Sequence, residues 1–379
     1  MMIIKILLLV LCFSAILFYI CGIYAALAFS VTSTNSCSSE YHPPVTILKP
    51  LSGVETDTYA NLASFCQQHY PKYQIIFSVR DRQDPVIAVV EKLKQQFPAV
   101  DMELVVSDRL IGANLKVSNL ANGLGAAKYD ILIIADSDIS VGEDYLQHVV
   151  QPLQDQKVGV VTCLYRSTAK GLAATFEALG TASDFHAGVL VSRLLEGVKF
   201  AFGSTIAIRR QVLEQIGGFA AIANYLADDY QLGYLPSQAG YKVILSDYIV
   251  NHHLAKTSLA DCGDRQIRWA RCIRVSRPGG YWGLLFTFGT VYSLLLVIFT
   301  GGAWFAWLVL AVTWGMRLLM GWIVGVKILA DPVVRKFFWL IPLRDIIYFL
   351  IWCCGFVGNK IQWRGQQLKL VKGGKLEMI

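Results

Sequence analysis

Charged residues are scarce in this sequence. They make up 16% of its 379 residues, against about 25% in an average globular protein, while hydrophobic residues make up 55%. The apolar excess is concentrated at the two ends of the chain, which predicts membrane segments around a polar middle. The charges that are present favour the basic side, with a net charge of +7. This sign is typical of a protein that lies on anionic lipid or handles phosphates.

Several motifs are absent, and each absence argues against a class of site. No GxGxxG follows the first predicted strand and no GxxxxGK[ST] occurs, which disfavours a dinucleotide site of the usual kind and a P-loop. The nine cysteines form no CxxC pair and no even framework. We therefore expect reduced thiols in a reducing compartment.

The N-terminal residues 3–30 form an apolar run that carries one charge, Lys5. The run exceeds the roughly 20 residues that span a bilayer. A cleaved signal peptide is the alternative, but its apolar core would be only about 7–15 residues long. We predict a transmembrane helix over residues 1–30, followed by a Ser- and Pro-rich linker over residues 31–43.

The C-terminal region, 281–379, contains three more apolar segments, at residues 283–300, 303–328 and 337–358, and a basic tail. The third segment contains Pro342, Arg344 and Asp345, which are costly in lipid unless they face protein or the interface. It is therefore a span, a broken helix or an in-plane helix. Basic residues on both sides of it mark both flanks as cytoplasmic, which a simple third crossing would forbid.

The middle of the chain, residues 44–256, alternates short apolar runs with helical patterns. Five runs rich in Val and Ile are predicted strands: VTILKP, QIIFSVRD, MELVVSD, DILIIADSD and VGVVTCLY. This alternation indicates a mostly parallel sheet with helices on both faces. Ligands of such sheets bind beyond the carboxyl ends of the strands, so polar residues at these ends are the candidates for a site.

Acidic residues follow two of the predicted strands. Asp136 and Asp138 repel each other unless a cation lies between them, and Mg²⁺ or Mn²⁺ would take oxygen ligands here and leave room for a diphosphate. An Asx-rich turn is the alternative. Asp81 could accept hydrogen bonds from a nucleobase or ribose, or belong to a helix N-terminus before Pro85. Lys116, upstream of the acidic strand, could meet a phosphate.

Asp228 and Asp229 lie in an apolar and aromatic stretch, NYLADDYQLG. An acid near hydrophobic walls has a raised pKa and can act as a general base; the alternative is a capping carboxylate at the start of a helix. His186 lies within a predicted helix, where a structural role is the default. His252 and His253 end a predicted strand, and no partner at a suitable spacing makes them a zinc site.

The stretch DRQIRWARCIRVSRPGG, residues 264–280, carries an arginine at every third position. At 100° per residue these arginines fan around a helix instead of forming one stripe, so they face different partners. We predict an amphipathic interface helix over residues 257–280 that ends at Pro278. Its five arginines are Arg265, Arg268, Arg271, Arg274 and Arg277.

A set of acids and an RxxRW motif occur in a fixed order: Asp81, Asp136-Ser-Asp138, Asp229 and Arg265-x-x-Arg268-Trp269. This set resembles the "D, DxD, D, (Q/R)xxRW" signature of membrane glycosyltransferases of GT-A type. The segments ILKPLSGVE, NLKVSNL, ADSDI, FAFGSTIAIRR and LADDY are similar to those of the ceramide glucosyltransferase family (glycosyltransferase family 21), which includes the bacterial hopanoid-biosynthesis enzymes. The resemblance implies an α/β GT-A nucleotide-sugar-binding domain with transmembrane helices at both ends.

The resemblance also implies the reaction: a hexose or N-acetylhexosamine moves from a UDP-sugar (UDP-glucose or UDP-N-acetylglucosamine) to a lipid hydroxyl with inversion, assisted by Mg²⁺ or Mn²⁺. It assigns Asp136 and Asp138 to the metal and diphosphate, and Asp229 to the general base with Asp228 beside it. The other implied residues bind the donor (Glu55, Asp81 and Lys116), close the site over diphosphate and acceptor (Arg265, Arg268 and Trp269) or lie near the acceptor (His186).

The segments FAFGSTIAIRR and VTCLYRS are closer to the hopanoid branch, and animal ceramide enzymes tend to read Glu-Asp and DSG where this chain has Asp228-Asp229 and DSD. These features tilt the acceptor toward a hopanoid over ceramide. Arg271, Arg274 and Arg277 are left to meet lipid phosphates. We expect a multi-pass membrane protein with its catalytic domain on the cytoplasmic side and no nucleic-acid partner. The alternatives are a processive polysaccharide synthase, for which four apolar segments are too few, and a non-catalytic scaffold, against which the intact acids argue.

Overall fold

The protein is described by a computed structural model that covers residues 2–32, 41–363 and 366–378. Most of the predicted linker, 31–43, lies outside these residues. The strands are β1 Val45–Leu51, β2 Tyr73–Val79, β3 Asp101–Val106, β4 Ile131–Ile134, β5 Ile139–Ser140, β6 Val158–Ala169, β7 Ile206–Arg209, β8 Lys242–Leu254, β9 Lys360–Trp363, β10 Gln366–Leu370 and β11 Leu376–Met378.

The helices are α1 Met2–Thr32, α2 Thr58–Cys66, α3 Val86–Gln96, α4 Leu115–Leu124, α5 Tyr145–Val150, α6 Leu172–Gly180, α7 His186–Glu196, α8 Arg210–Gln215, α9 Asp228–Gln238, α10 Leu259–Ser276, α11 Pro278–Gly283, α12 Gly289–Phe299, α13 Trp304–Trp322, α14 Pro332–Phe337 and α15 Ile341–Gly355. A π-helical turn, Thr181–Phe185, joins α6 to α7.

The central sheet has eight strands in the order β3-β2-β1-β4-β7-β6-β8-β5. The four strands β3, β2, β1 and β4 are parallel, and β6 is parallel to β8. β7 runs antiparallel to both of its neighbours, β4 and β6. The predicted mostly parallel sheet is confirmed, and the five predicted strands correspond to β1, β2, β3, β4 and β6.

Helices cover both faces of this sheet because its strands are apolar on both sides. Ile47 of β1 points into a core that includes residues of α2, α3 and α5. The next residue, Leu48, points into a second core that includes residues of α4 and α8. Successive side chains of a strand alternate between faces, so a continuous apolar run is what a sheet buried on both sides requires.

Among the residues that the structure describes, three helical segments are long and apolar enough to cross a membrane: Met2–Val31, Trp304–Ile328 and Pro332–Gly355. A fourth span results if the bent pair Pro278–Phe286 and Gly289–Phe299, which meet at 44°, is one unit. The predicted apolar helices at both ends are thus confirmed. α1 packs against α12 and α13 and also against α7, which lies between β6 and β7 in the chain.

The segment Pro332–Gly355 does not have the arrangement of a simple crossing. Before its first residue, Asp331 Oδ2 accepts a hydrogen bond from the backbone N–H of Ser167 in β6, at 2.9 Å. After its last residue, the Phe356 carbonyl accepts one from Arg274 Nη1 of α10, at 2.6 Å. One end therefore lies against the central sheet and the other against α10. Of the three predicted possibilities for this segment, the geometry favours a helix that lies along the domain.

The charges within this segment face protein instead of lipid. Arg344 Nη1 donates to Asp184 Oδ2 of the π-helical turn, at 3.1 Å. Asp345 forms an ion pair with Arg317 of α13, at 2.8 Å, and both side chains are buried. The exposed side chains of the segment include an apolar row: Trp339, Leu343, Ile347 and Leu350. One side thus carries the polar contacts to the protein and another carries apolar residues to the surroundings.

Candidate active site

Asp136 and Asp138 lie between β4 and β5, each next to its own basic partner. Lys116 Nζ is 2.7 Å from Asp136 Oδ1, and His252 Nε2 is 3.4 Å from Asp138 Oδ2. Burial raises the pKa of Asp136. Burial would also raise the pKa of Asp138, but the hydrogen bond and charge of His252 lower it overall. The repulsion between the two carboxylates is thus reduced by residues from α4 and β8.

Lys116 links the DxD pair to Asp228. Its Nζ lies 3.2 Å from Asp228 Oδ2, an atom that is buried and has no hydrogen bond within the described residues. Asn114, which caps α4 by accepting from the Val117 N–H, also donates to Asp228 Oδ1, at 3.2 Å. Burial alone would lower the pKa of Lys116, but Asp136 and Asp228 raise it, so the lysine remains charged. The first turn of α4 therefore holds a cation among carboxylates.

Asp229, at the start of α9, is tied to Asp136 through one residue, Gly203. The Gly203 N–H donates to Asp229 Oδ2 at 3.1 Å, and its carbonyl accepts from the Asp136 N–H at 2.9 Å. Burial, together with the charge of Asp228, raises the pKa of Asp229 to about 6. Such a carboxylate is largely ionised at pH 7 and still basic enough to take a proton.

The chemistry of these residues fits a divalent cation. In residues 2–32, 41–363 and 366–378, no group of three or more His, Cys, Asp or Glu side chains is arranged to hold a metal ion. Two carboxylates that share an ion with a substrate diphosphate do not need a third protein ligand, because Mg²⁺ sites commonly use one or two carboxylates and substrate phosphates. Lys116 is shared between Asp136 and Asp228, and Asp229 also acts on its charge, so this part of the site has more carboxylates than the lysine can neutralise.

Asp81 and Glu55 lie at the carboxyl edge of the sheet but outside this carboxylate cluster. Asp81 follows β2 and lines a groove of about 400 Å³ together with Arg82, Ser107 and Asp108. Its Oδ1 accepts from the Gln83 N–H at 2.8 Å, as in an Asx turn. Glu55 is exposed in the loop after β1. Both positions stay predictions for donor binding.

Arg265 has a partner that the sequence did not predict. Its guanidinium pairs with Glu177 of α6, a buried residue whose carboxylate also accepts from the Cys262 thiol. We expected Arg265 to face a diphosphate; in the structure its charge is neutralised by Glu177 instead. The Arg265–Glu177 pair still borders the site, because Glu177 and the acids of the site act on the same side chain, Tyr165. Burial raises the pKa of Tyr165, and the charges of Asp229, Glu177, Asp138 and Asp136 raise it further.

Arg268 and Trp269 lie one turn further along α10. Burial raises the pKa of the Cys272 thiol to about 11, and this thiol is also within electrostatic range of Asp229, Arg268 and Asp228. Arg268 and the predicted base thus act on the same side chain, Cys272. Its Nη1 also contacts the Gln362 carbonyl of β9, at 3.5 Å. Trp269 is 40% exposed, as expected of a residue at an acceptor mouth.

The last arginines of α10 contradict part of the prediction that they are free for lipid phosphates. Arg274 donates to the carbonyls of Phe356 and Gly358, and Arg277 forms an ion pair with Glu196 at 2.8 Å. These two guanidiniums fasten α10 to the turn after α15 and to α7. The physical reason is that other elements cover helix α10 on several sides. Its arginines, which fan around the helix, therefore contact protein before they can reach lipid.

His186 is fully buried among aromatic rings, 4.6 Å from Tyr165 and 5.3 Å from Phe185 between ring centres. Its Nε2 is 3.0 Å from the Tyr165 carbonyl, and Nδ1 is buried with no partner in the described residues. Burial lowers its pKa to about 3, so the ring is neutral and Nε2 carries the donated proton. The structure places it beneath the site, where a contact with the acceptor stays a prediction.

Three residues that lie in the site were not identified from the sequence. Gly203 sits in the quoted segment FAFGSTIAIRR, and its position between apolar residues was the available signal. His252 had been considered only as a zinc ligand. Lys49 ends the apolar run of β1, where its buried Nζ donates to the Asp136 carbonyl at 2.6 Å and lies 3.7 Å from the Phe65 ring centre.

Comparison with known proteins identifies the family. A family model described as Glycosyl transferase family 21 matches residues 7–376. The chain belongs to this family. It is similar to Ceramide glucosyltransferase 3 of Caenorhabditis elegans, with 25% identity over 346 residues, which cover 88% of this chain and 74% of the relative. It is also similar to the Ceramide glucosyltransferase of Komagataella phaffii, with 40% identity over 113 residues, 29% of this chain and 22% of the relative.

The fold of this chain is similar to that of a solved structure, the mannosyltransferase PcManGT from Pyrobaculum calidifontis in complex with GDP-Man and Mn²⁺. The two sequences are 20% identical. Their structures superpose with a TM-score of 0.58, over 93% of this chain and 96% of the mannosyltransferase. This likeness confirms the predicted GT-A type fold. The protein is therefore a glycosyltransferase with apolar helices at both ends.

Proposed function

We propose that this glycosyltransferase moves a hexose from a UDP-sugar to a hydroxyl group of a membrane lipid, with inversion at the anomeric carbon. One observation carries the proposal: the backbone of Gly203 joins Asp229 to Asp136, through an N–H donated to the Asp229 carboxylate and a carbonyl that accepts from the Asp136 N–H. A base with a pKa of about 6 is thereby held next to the acids that suit a metal and a diphosphate. Base and leaving-group site must be adjacent in a single in-line displacement.

The donor side is assigned to Asp136, Asp138 and Lys116. A Mg²⁺ or Mn²⁺ ion held by the two aspartates would neutralise charge on the departing diphosphate. Lys116, charged and partly buried between Asp136 and Asp228, is fixed before any substrate arrives. Asp81 is assigned to the uridine, since its groove lies at the ends of β2 and β3. The solved mannosyltransferase holds GDP-Man and Mn²⁺, which supports a nucleotide sugar and a divalent ion in this fold.

In the displacement, the acceptor oxygen attacks the anomeric carbon while the bond from that carbon to the diphosphate oxygen breaks. Asp229 takes the hydroxyl proton, and UDP leaves with the bonding electron pair. Arg268 is assigned to the developing charge, because it and Asp229 both act on Cys272 and its partner in the RxxRW motif, Arg265, is neutralised by Glu177. Preorganised cations are worth most in a site that excludes water.

The acceptor is proposed to be a ceramide-like lipid that enters from the membrane side of α10. The curated relatives are ceramide glucosyltransferases, which favours ceramide over the hopanoid toward which the sequence motifs tilted. Trp269 is exposed next to Arg268, so an aromatic surface is available to an apolar acceptor. We assign the catalytic domain to the cytoplasmic side, from the basic loops that flank the C-terminal segments.

The test is transfer by the full-length protein in detergent, with UDP-glucose, UDP-N-acetylglucosamine or GDP-mannose as donor and a short-chain ceramide or a hopanoid alcohol as acceptor. We expect a glucosylated ceramide by mass spectrometry and a β-linkage by NMR, since UDP-glucose is an α-glycoside. Chelation of divalent ions should stop the reaction, and Mn²⁺ or Mg²⁺ should restore it.

Asp229→Asn is the decisive variant, because the amide keeps the shape and cannot take a proton. We expect UDP binding to persist while turnover falls by about 10²-fold or more. Asp130→Asn is the control, since the Asp130 side chain is 90% exposed and its ion pair is with Arg210, which is not one of the site residues. Full turnover in Asp229→Asn would remove Asp229 as the base, and transfer from GDP-mannose alone would remove the UDP assignment.

A further inference from the structure

A second basic site lies between α10 and the C-terminal sheet β9–β11, outside the carboxylate cluster. It is a groove of about 550 Å³ lined by Arg271, Gly358, Asn359, Lys360 and Lys369. Three of these five residues are cations and none is an acid. A concave surface with this composition attracts an anion.

The strand register places two of the lysines side by side. Lys360 of β9 is directly opposite Lys369 of β10. Like charges in this position destabilise a sheet unless something between them compensates. Glu377 of β11 lies opposite Lys369 on its other side, but no ion pair joins the two within the described residues. One acid among three cations leaves an excess of positive charge.

Arg271 completes the floor of the groove and keeps unused hydrogen-bond donors. Its Nη1 donates to the Lys360 carbonyl at 2.6 Å, which fixes the guanidinium against β9. Its Nε is buried and has no acceptor among the described residues. Gly358 has a φ of 75° and lies beside the Arg271 guanidinium, where an added Cβ would be in ordinary contact with Nη2, at 3.4 Å.

The rim of the groove is apolar. The turn that supplies Gly358 and Asn359 follows α15, and its Phe356 packs on Trp282 of α11 with ring centres 4.8 Å apart. Trp282 is 57% exposed and Val357 is 70% exposed. Exposed aromatic and aliphatic residues beside a basic pocket are the arrangement expected at the level of lipid headgroups, where chains lie on one side and phosphates on the other.

We propose that this groove binds the phosphate group of an anionic phospholipid. Arg271, Lys360 and Lys369 contact the phosphate, and the acyl chains leave over Val357 and Trp282. A free phosphate ion would use the cations but would gain nothing from the apolar rim. The site is distinct from the donor site, because neither the DxD pair nor Asp229 contributes to it. The proposal does not depend on which sugar or acceptor the enzyme uses.

The test is titration of the full-length protein in detergent with phosphatidylglycerol, phosphatidylcholine and inorganic phosphate, followed by native mass spectrometry of the lipid adduct. We expect phosphatidylglycerol to bind at least tenfold more tightly than phosphatidylcholine. The double variant Lys360→Gln/Lys369→Gln should weaken the binding of phosphatidylglycerol by about 30-fold, which is the combined effect of removing two cations at a membrane surface. Lys360→Arg/Lys369→Arg should retain binding because it keeps both charges.

The matched control is Lys372→Gln, which removes one charge from the same tail at an exposed position that does not line the groove. We expect it to stay within twofold of the unchanged protein, while Lys369→Gln alone loses about fivefold. Equal losses in Lys372→Gln and Lys369→Gln would show a general charge effect and overturn the site. Inorganic phosphate that competes at concentrations near those of the lipid would assign the groove to a soluble anion and overturn the lipid. If the double variant does not fold, Lys369→Gln decides.

Discussion

Adding one methyl group at Gly203 is the sharpest perturbation that the active site offers. A Cβ there would lie 2.3 Å from Asp136 Oδ2 and 3.2 Å from Lys116 Nζ. Gly203 is not among the glycines with a positive φ, so alanine suits the backbone and the effect is steric. The Asp136 carboxylate must retreat by about 1 Å to reach an ordinary contact, and a misplacement of this size costs about 10²-fold in rate.

This loss corresponds to about 2.7 kcal/mol of transition-state stabilisation. Overpacking of a tight site also lowers the free energy of unfolding, by about 1–3 kcal/mol. The assay is therefore the initial rate of transfer from UDP-glucose as a function of metal and donor concentration, with thermal unfolding measured in parallel. We expect Gly203→Ala to raise the metal requirement and lower turnover, with the protein still folded at the assay temperature.

Two controls test the explanation. Gly188→Ala, in α7, adds a methyl group with nothing within 4 Å and should leave the rate unchanged. In an Asp136→Ala background the clash partner is gone, so Gly203→Ala should cause little further loss, because the two changes act on one contact. A Gly203→Ala enzyme within threefold of the unchanged protein, or full additivity with Asp136→Ala, would refute the steric reasoning.

Three further outcomes are expected. The raised pKa of Asp229 predicts that turnover rises with pH through about 6, where the base loses its proton. The remaining turnover of Asp229→Asn should lack this rise with pH. A rise retained in the variant would assign the titration to another group. Gly374→Ala places a Cβ 2.4 Å from the hydroxyl of a serine in α10 and should lower the melting temperature more than Gly373→Ala does. Gly373 also has a positive φ, but open space surrounds its Cβ position. Equal shifts in melting temperature would mean that only the backbone conformation matters. Asp345→Asn leaves Arg317 buried without its partner and should lower the free energy of unfolding by about 3–5 kcal/mol, measured by denaturation in detergent; a loss under 1 kcal/mol would mean that water reaches the pair.

The parts of the fold that follow a local pattern could be predicted from the sequence. β4 is a run of buried apolar residues, β1 is mostly apolar and fully buried, and α1 is an apolar helix of membrane length, so composition alone indicates them. β7 is different. Its four residues, Ile206–Arg209, are too short to stand out, and its place between β4 and β6 depends on long-range pairing.

Site residues divide in the same way. Asp136 and Asp138 could be selected because they follow an apolar strand. Glu177 could not, because a single acid in α6 gives no sign that it pairs with Arg265, 88 residues later in the chain. His252 shows the same limit, since its distance from Asp138 is set by the pairing of β5 with β8. The partners of charged groups come from tertiary structure, and one sequence does not reveal them.

The course of the segment Pro332–Gly355 predicts which ends of the protein share a compartment. A helix that starts and finishes beside the catalytic domain adds no change of side. The hairpin of α12 and α13 leaves from α10 and returns to β6, so it also restores the original side. Within the described residues this leaves α1 to change sides, so we predict that its N-terminal end lies across the bilayer from the C-terminal sheet. A protease or a membrane-impermeant label applied to one face of sealed vesicles should reach one terminus and spare the other.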